Sequence, residues 1–539
     1  MQMQDLSYRL NNHRISIKDF IVSVEVFSLE NIYTVKENSF IKNGNNYYSN
    51  DIIYGNDVKV DDSNVSLIID EDKDTVKFKI NAKLDKLIRG VKLRFDGLPL
   101  GNLISTIDKD HEPSVYGKLF RYPEAWRTFP TSLAVFDIGN NKYLYIRVLD
   151  DKVREKRFFI KKENDKMRVD VGIDELGVQI DNKFSAPIIE YGITSSLEEL
   201  YQNQSDYIKE TFGLEEYKNS SLVPSWLNDI SLVVTMHMQT FTGFIFHTYE
   251  KAYEDIERLT KYIEPRRILV YLAGWEGRYY YKYGDYTADE RMGGEEKLKE
   301  MVDKMHKLGV KVMAMYGINI ANRTLPVIRD FVDEAECFNV SGARYHHGSV
   351  NWEGAHHYDF NELYQFNVGN KKWQDYLFNQ IKDASLKYDF DAAFLDIAAY
   401  YNNDKRYYIY DGVVELCDRL RTIKNDFLVS GEAFYDALAK AMPLFQGGHT
   451  DGWLHYHDRV SPLLFTRFAK EFGHLCLGDM SRGSSGVHEL GTNTDVMTPL
   501  REGIIPTLSL VEDTLDKAFD KVLLVIEQAK KYQELYLDK

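Results

Sequence analysis

Cysteine is scarce in this chain. Its three copies, Cys337, Cys417 and Cys476, are odd in number, far apart and without a CxxC pair. That spacing excludes a disulfide framework and suggests no zinc knuckle. Basic charge is short as well. Sixty-seven Lys and Arg against 83 Asp and Glu leave a formal charge of −16, and no Lys/Arg run exceeds a few residues. A phosphate backbone or an anionic membrane surface is therefore not an expected partner. No stretch reaches the roughly 20 apolar residues of a membrane span. The opening MQMQDLSYRLNNHRISIKDF lacks the apolar core of a secretory signal. A soluble, cytoplasmic protein is the expectation, or a secreted one if a signal has been trimmed. GxGxxG and GKS/T motifs are missing too, so no nucleotide cofactor is expected.

Aromatic residues, in contrast, are plentiful: they make up 13% of the chain, with 37 Tyr among them. Rings of this kind serve sugar-handling proteins as stacking platforms, because a pyranose presents apolar C–H faces beside its hydroxyls. A bias toward Tyr, Asn, Lys and Ile across the whole sequence would produce the same count, so position has to discriminate.

Up to about residue 190 the chain reads as short alternating runs, among them VSLIID (65–70), TVKFKIN (75–81) and KMRVDVGID (166–174). Period-two alternation with Gly, Asn and Asp punctuation predicts antiparallel sheet. In IGNNKYLYI, Gly139, Asn140 and Asn141 suit the positive φ of a tight turn. The simplest architecture is a β-sandwich over 1–195. A linker segment follows (196–224), whose helix Ser196 can cap and Gly213 can end. From 225 to 539 β-runs alternate with amphipathic helices, as a parallel α/β domain requires. Eight strand–helix steps are read: strands at 229–238, 266–275, 310–317, 392–397, 427–432, within 443–453, 474–479 and 504–510, with a closing helix at 511–535. The predicted fold is a (β/α)8 TIM barrel behind an antiparallel β-sandwich.

Barrel sites form at the C-terminal ends of the strands. There the sequence places Trp275, Arg278 and Tyr279 after the second strand and Asn319 after the third. Asp396 and Tyr400 follow the fourth, Glu432 the fifth, and His449 and Asp451 the sixth. Asp396 and Glu432 end consecutive strands, and two carboxyls roughly 5 Å apart are what a retaining glycosidase needs as nucleophile and acid/base. Either acid alone could instead cap a following helix. Trp275, Arg278, Tyr279, Asn319, Tyr400, His449 and Asp451 are the candidate substrate contacts. Arg278 could equally be an ion-pair partner of Glu276 or Asp285, and Trp275 could plug the core. The stretch 337–360 holds His346, His347, His356 and His357, but their doublet spacing lacks an HxxxH or HExxH arrangement. It reads as a covering loop, with no metal expected.

The runs GWEGRYYYKYGDY, KLGVKVMAMYG, FDAAFLDIAAYYNND and VSGEAFYD resemble those of barrel glycoside hydrolases. The likeness is to a bacterial family of glycosidase-like domains of unknown function, then to the endo-α-N-acetylgalactosaminidases and, more distantly, to the α-amylase clan. It covers roughly residues 225–500. It implies a β-sandwich before the barrel, with Asp396 as nucleophile and Glu432 as acid/base. The Arg that the α-amylase clan carries two residues before its nucleophile is Phe394 here, and its third acid has no clear counterpart. Starch hydrolysis is therefore not expected. The expectation is a retaining glycoside hydrolase on α-linked oligosaccharides or glycoconjugates, needing no cofactor. A transglycosidase with the same carboxylates, or a carbohydrate-binding protein on a barrel scaffold, are the alternatives.

Overall fold

The computed structural model describes residues 12–55, 57–106, 110–123, 129–239, 243–277, 282–344, 363–432, 434–447, 466–473, 476–477 and 500–538. Its contacts divide the chain into two units. One is Met1–Gln204 with Asn339–Gly342 and Asn403–Tyr408; the other is Ser205–Phe338, Ala343–Asn402 and Ile409–Lys539. Among the described residues no helix is long and apolar enough to cross a membrane.

The first unit consists of two antiparallel sheets of nine strands each. Strand Thr75–Lys83 shows why: Val76, Phe78, Ile80 and Ala82 alternate inward while the polar residues between them stay partly exposed. Phe20 and Phe95 of one sheet meet Tyr191 and Phe78 of the other, with ring centres 4.6 and 5.4 Å apart. Such contacts identify a face-to-face sandwich. The turn between Leu133–Asp137 and Tyr143–Leu149 has positive φ at Gly139, Asn140 and Asn141 (82°, 54° and 57°), the conformations its composition predicts. Asn403–Tyr408 joins this unit through close backbone approach. The N–H of Gly177 donates to Asn403 Oδ1 at 2.6 Å, and a Cβ at Gly177 would lie 2.5 Å from the carbonyl oxygen of Asp404.

The second unit is a parallel sheet of ten short strands. Leu232–His237 (β1), Ile268–Ala273 (β2), Lys311–Gly317 (β3), Ala392–Asp396 (β4), Leu428–Glu432 (β5) and Leu444–Gln446 (β6) pair in that order. Lys470–Phe472 (β7), Cys476–Leu477 (β8), Ile504–Ile505 (β9) and Thr507–Leu510 (β10) continue it. β7 pairs with β6 and β9, β8 with β10, and β10 with β1, so the barrel nearly closes. Helices Tyr249–Leu259 (α1), Gly294–Leu308 (α2), Lys371–Tyr388 (α3), Ile409–Leu420 (α4) and Phe519–Tyr536 (α5) lie in the connections and after β10. Parallel strands require such crossovers, and β1 and β2 are buried along their whole length.

The last strands differ from their predicted bounds. The run expected at 474–479 is preceded by a pairing segment at 470–472, where polar Lys470 and Glu471 hide the strand pattern. The run at 504–510 splits at Pro506, which has no N–H to give a ladder. Inside the barrel Tyr271, Phe394 and Phe472 pack together, with ring centres 4.3, 6.0 and 6.1 Å apart. This packed layer is the support on which the strand ends stand.

Candidate active site

Phe394 points into the barrel, so Asp396, two residues on, shares its face. Ser430 lies beside Phe394 in the parallel register, which puts Glu432 on the same inward face of β5. Both acids are buried, at 3% and 7% exposure. Their carboxyls hydrogen-bond to each other. The sequence places the two acids side by side at one mouth, and they end adjacent, parallel-paired strands. Burial, the largest effect, pushes Asp396 up to about 6, against hydrogen bonds from Tyr283, Glu432 and the Ile397 N–H. Burial and then the Asp396 charge push Glu432 well above the usual carboxyl range. Two buried carboxyls in contact disfavour ionising together, so the pair holds a proton to higher pH than a free carboxyl would.

Two groups fix this pair. The Tyr283 hydroxyl donates to Asp396 Oδ2 at 2.5 Å. It reaches there because β3 ends in glycine: a Cβ on Gly317 would stand 2.4 Å from Cδ2 of the Tyr283 ring. The N–H of Ile397 donates to Glu432 Oε2 at 3.0 Å. Ile397 has φ +60°, a left-handed conformation that disfavours a β-branched residue by about 1–3 kcal/mol. Tyr283 was not among the sequence candidates, although it directly follows the YYYK run in the same loop. A donor to a carboxylate is worth about 1.5–3 kcal/mol. Tyr283→Phe is expected to slow turnover about 10- to 100-fold, read from steady-state kcat.

Glu276 was also passed over. Its carboxyl is fully buried, and neither oxygen has a hydrogen-bond partner among the described residues. Burial first pushes it up to about 8, with Asp396 and Asp285 adding to the rise. Its carboxyl holds its proton more tightly than a free one and interacts with Asp396. The signal for it is position alone: it follows the end of β2, where barrel sites gather.

Trp275 is not a platform. It is fully buried, its Nε1–H donates to the carbonyl of Met315 at 3.0 Å, and its ring packs on Tyr316, Tyr388 and Phe390. An indole with its N–H satisfied inside an aromatic cluster is core. Trp275→Ala is therefore expected to cost about 3–5 kcal/mol of stability in denaturant unfolding. A platform residue would instead have changed sugar affinity with little effect on the midpoint.

Asn319 is fully buried. Its Nδ2 donates to the carbonyl of Ile397 at 3.2 Å. Tyr400 is half-buried, and its backbone N–H donates to that same carbonyl at 3.2 Å. Arg278, Tyr279, His449 and Asp451 lie outside the described residues, as do His346, His347, His356 and His357.

No protein-family model matches the sequence, and no curated protein matches it. Solved structures do. The chain is similar to the α-N-acetylgalactosaminidase NagBb from Bifidobacterium bifidum in its GalNAc complex, with a TM-score of 0.65 at 10% identity over 96% of this chain and 93% of that one. It is similar to the galactosidase domain of the α-galactosidase–sucrose kinase AgaSK, with a TM-score of 0.55 at 13% identity over 97% and 72%. A GH36 α-galactosidase, AgaA from Geobacillus stearothermophilus in complex with raffinose, gives 0.54 at 11% identity over 98% and 74%. At these identities the likeness is one of fold. The protein shares the fold of these glycosidases, with a nearly closed parallel barrel and a β-rich N-terminal region.

Proposed function

We propose that the protein is a retaining glycoside hydrolase acting on α-linked sugars. The observation that carries this reading is the pair of buried acids, Asp396 and Glu432, side by side on the inward face of adjacent strand ends. The names of the similar structures, α-N-acetylgalactosaminidase and α-galactosidases, favour an α linkage.

The protonation states suit the roles. Asp396 is the group with the lower of the two values and is ionised at neutral pH, with the Tyr283 hydroxyl holding one oxygen and leaving the other to attack. Glu432 holds the proton that the leaving oxygen needs. Retaining enzymes keep nucleophile and acid roughly 5–5.5 Å apart, so an entering glycoside parts the two carboxyls. The anomeric carbon takes its place at Asp396, and the glycosidic oxygen faces the proton on Glu432. Attack by Asp396 forms the glycosyl ester while that proton moves to the departing oxygen. Glu432, now ionised, takes a proton from water, whose oxygen attacks the anomeric carbon and frees Asp396. An acceptor sugar in place of water would give transfer with the same groups.

Release of aryl leaving groups from a panel of α- and β-glycosides tests the reading. Turnover of an α-glycoside supports it. Sugar binding without any turnover, unaffected by loss of either acid, would sink it in favour of a binding protein. The pH profile adds a check on the roles. The rate should climb as pH rises through about 6, where Asp396 ionises, and fall again at alkaline pH, where Glu432 loses its proton.

A further inference from the structure

Ile397 follows the proposed nucleophile directly and is the only β-branched residue with positive φ among the described residues. Its side chain is half-buried, and a β-branched residue does not favour that conformation. A strained residue persists only where its surroundings over-determine it. Here the surroundings are hydrogen bonds at both ends of the residue. Its N–H donates to Glu432 Oε2 at 3.0 Å. Its carbonyl accepts from the Tyr400 N–H and from Asn319 Nδ2, each at 3.2 Å.

Of these partners, the Tyr400 N–H belongs to the same turn and moves with it. Asn319 comes from a different strand end, past β3, and is held independently: its own carbonyl accepts from the Phe366 N–H at 2.9 Å. It is therefore an external brace. Fully buried and spent on a carbonyl, its amide nitrogen is not offered to a substrate.

We propose that Asn319 is a positioning residue: by donating to the carbonyl of Ile397 it holds that residue left-handed, and so aims the Ile397 N–H at Glu432 and sets the direction of the acid. Without the brace, Ile397 relaxes to ordinary φ and its N–H turns away from Oε2. This rests on the glycosidase reading for its kinetic consequences, though not for its geometry.

A double-mutant cycle tests it, because glycine occupies positive φ without support. Asn319→Ala should lower kcat about 10- to 100-fold with KM changed less than about 3-fold. In the Ile397→Gly background the same substitution should cost less than about 3-fold, a coupling of roughly tenfold. An equal loss in both backgrounds overturns the proposal and leaves Asn319 a core amide. A raised KM at constant kcat overturns it in favour of a substrate contact. Should the alanine variant not fold, Asn319→Asp, which keeps the volume and loses the donor, replaces it in the cycle. Crystal structures supply a readout independent of turnover. The φ of Ile397 should become negative in Asn319→Ala, and an unchanged φ overturns the proposal. A wild type with no glycosidase turnover but with this φ shift in the variant would defeat the functional reading alone.

Discussion

Asp396→Asn is expected to reduce kcat/KM on an α-glycoside by a factor on the order of 10⁴–10⁶, the scale on which removing a covalent nucleophile acts. An amide oxygen cannot form the glycosyl ester, and among the described residues it is Asp396 that receives the Tyr283 hydroxyl. The same substitution should make the protein more stable at neutral pH, which separates lost chemistry from lost fold. The sign follows from linkage. The Asp396 carboxyl is raised from 3.8 to about 6 in the folded protein, so between those values the native state binds more protons than the unfolded chain. Stability from this group is present at low pH and is lost as pH rises through about 6. Asparagine never ionises and escapes that penalty. A gain on the order of 1–3 kcal/mol is expected at pH 7 and little at pH 4, measured by urea unfolding at both. Lower stability at pH 7, with activity lost, would mean that the substitution had broken the site.

Glu432→Ala should show a loss that depends on the leaving group. General acid catalysis is worth about 10²–10⁴, and it matters only where the departing oxygen needs a proton. For an alkyl glycoside the variant should be slower by about that factor. For a dinitrophenyl glycoside, whose phenolate leaves unaided, the first step should stay fast. Hydrolysis of the glycosyl ester then lacks its base, so a burst of one equivalent of phenolate should precede a slow steady state. The burst requires Asp396 to have taken the sugar, and a uniform loss across leaving groups would remove Glu432 as acid. Removing Glu432 also takes from buried Asp396 a hydrogen bond that favours its ionised form.

Much of this was legible in the linear chain, and the reason is periodicity. Alternation in TVKFKIN and apolar runs such as those of β1 and β2 are burial requirements written residue by residue. The turn at Gly139–Asn141 is readable for the same local reason: its backbone angles admit few residue types. That Asp396 and Glu432 end consecutive strands is likewise a one-dimensional fact, and the parallel register then places them side by side.

Other features needed three dimensions. Trp275 and Tyr283 sit in one loop with similar composition, yet one ring turns into the core and the other delivers its hydroxyl to Asp396, a choice made by space behind β2 and by the missing side chain of Gly317. Lys470 and Glu471 belong to a barrel strand although their polarity argues against it, because neighbouring strands supply the ladder. The sequence by itself determined the sheet-rich and the alternating layers of the fold and the order of the strands that end in Asp396 and Glu432. Only the tertiary structure decided which hydroxyl donates to Asp396, which N–H donates to Glu432 and that Ile397 is left-handed. Periodicity reports whether a residue is buried; hydrogen bonds between distant segments and the proton affinity of buried carboxyls depend on what it is buried against.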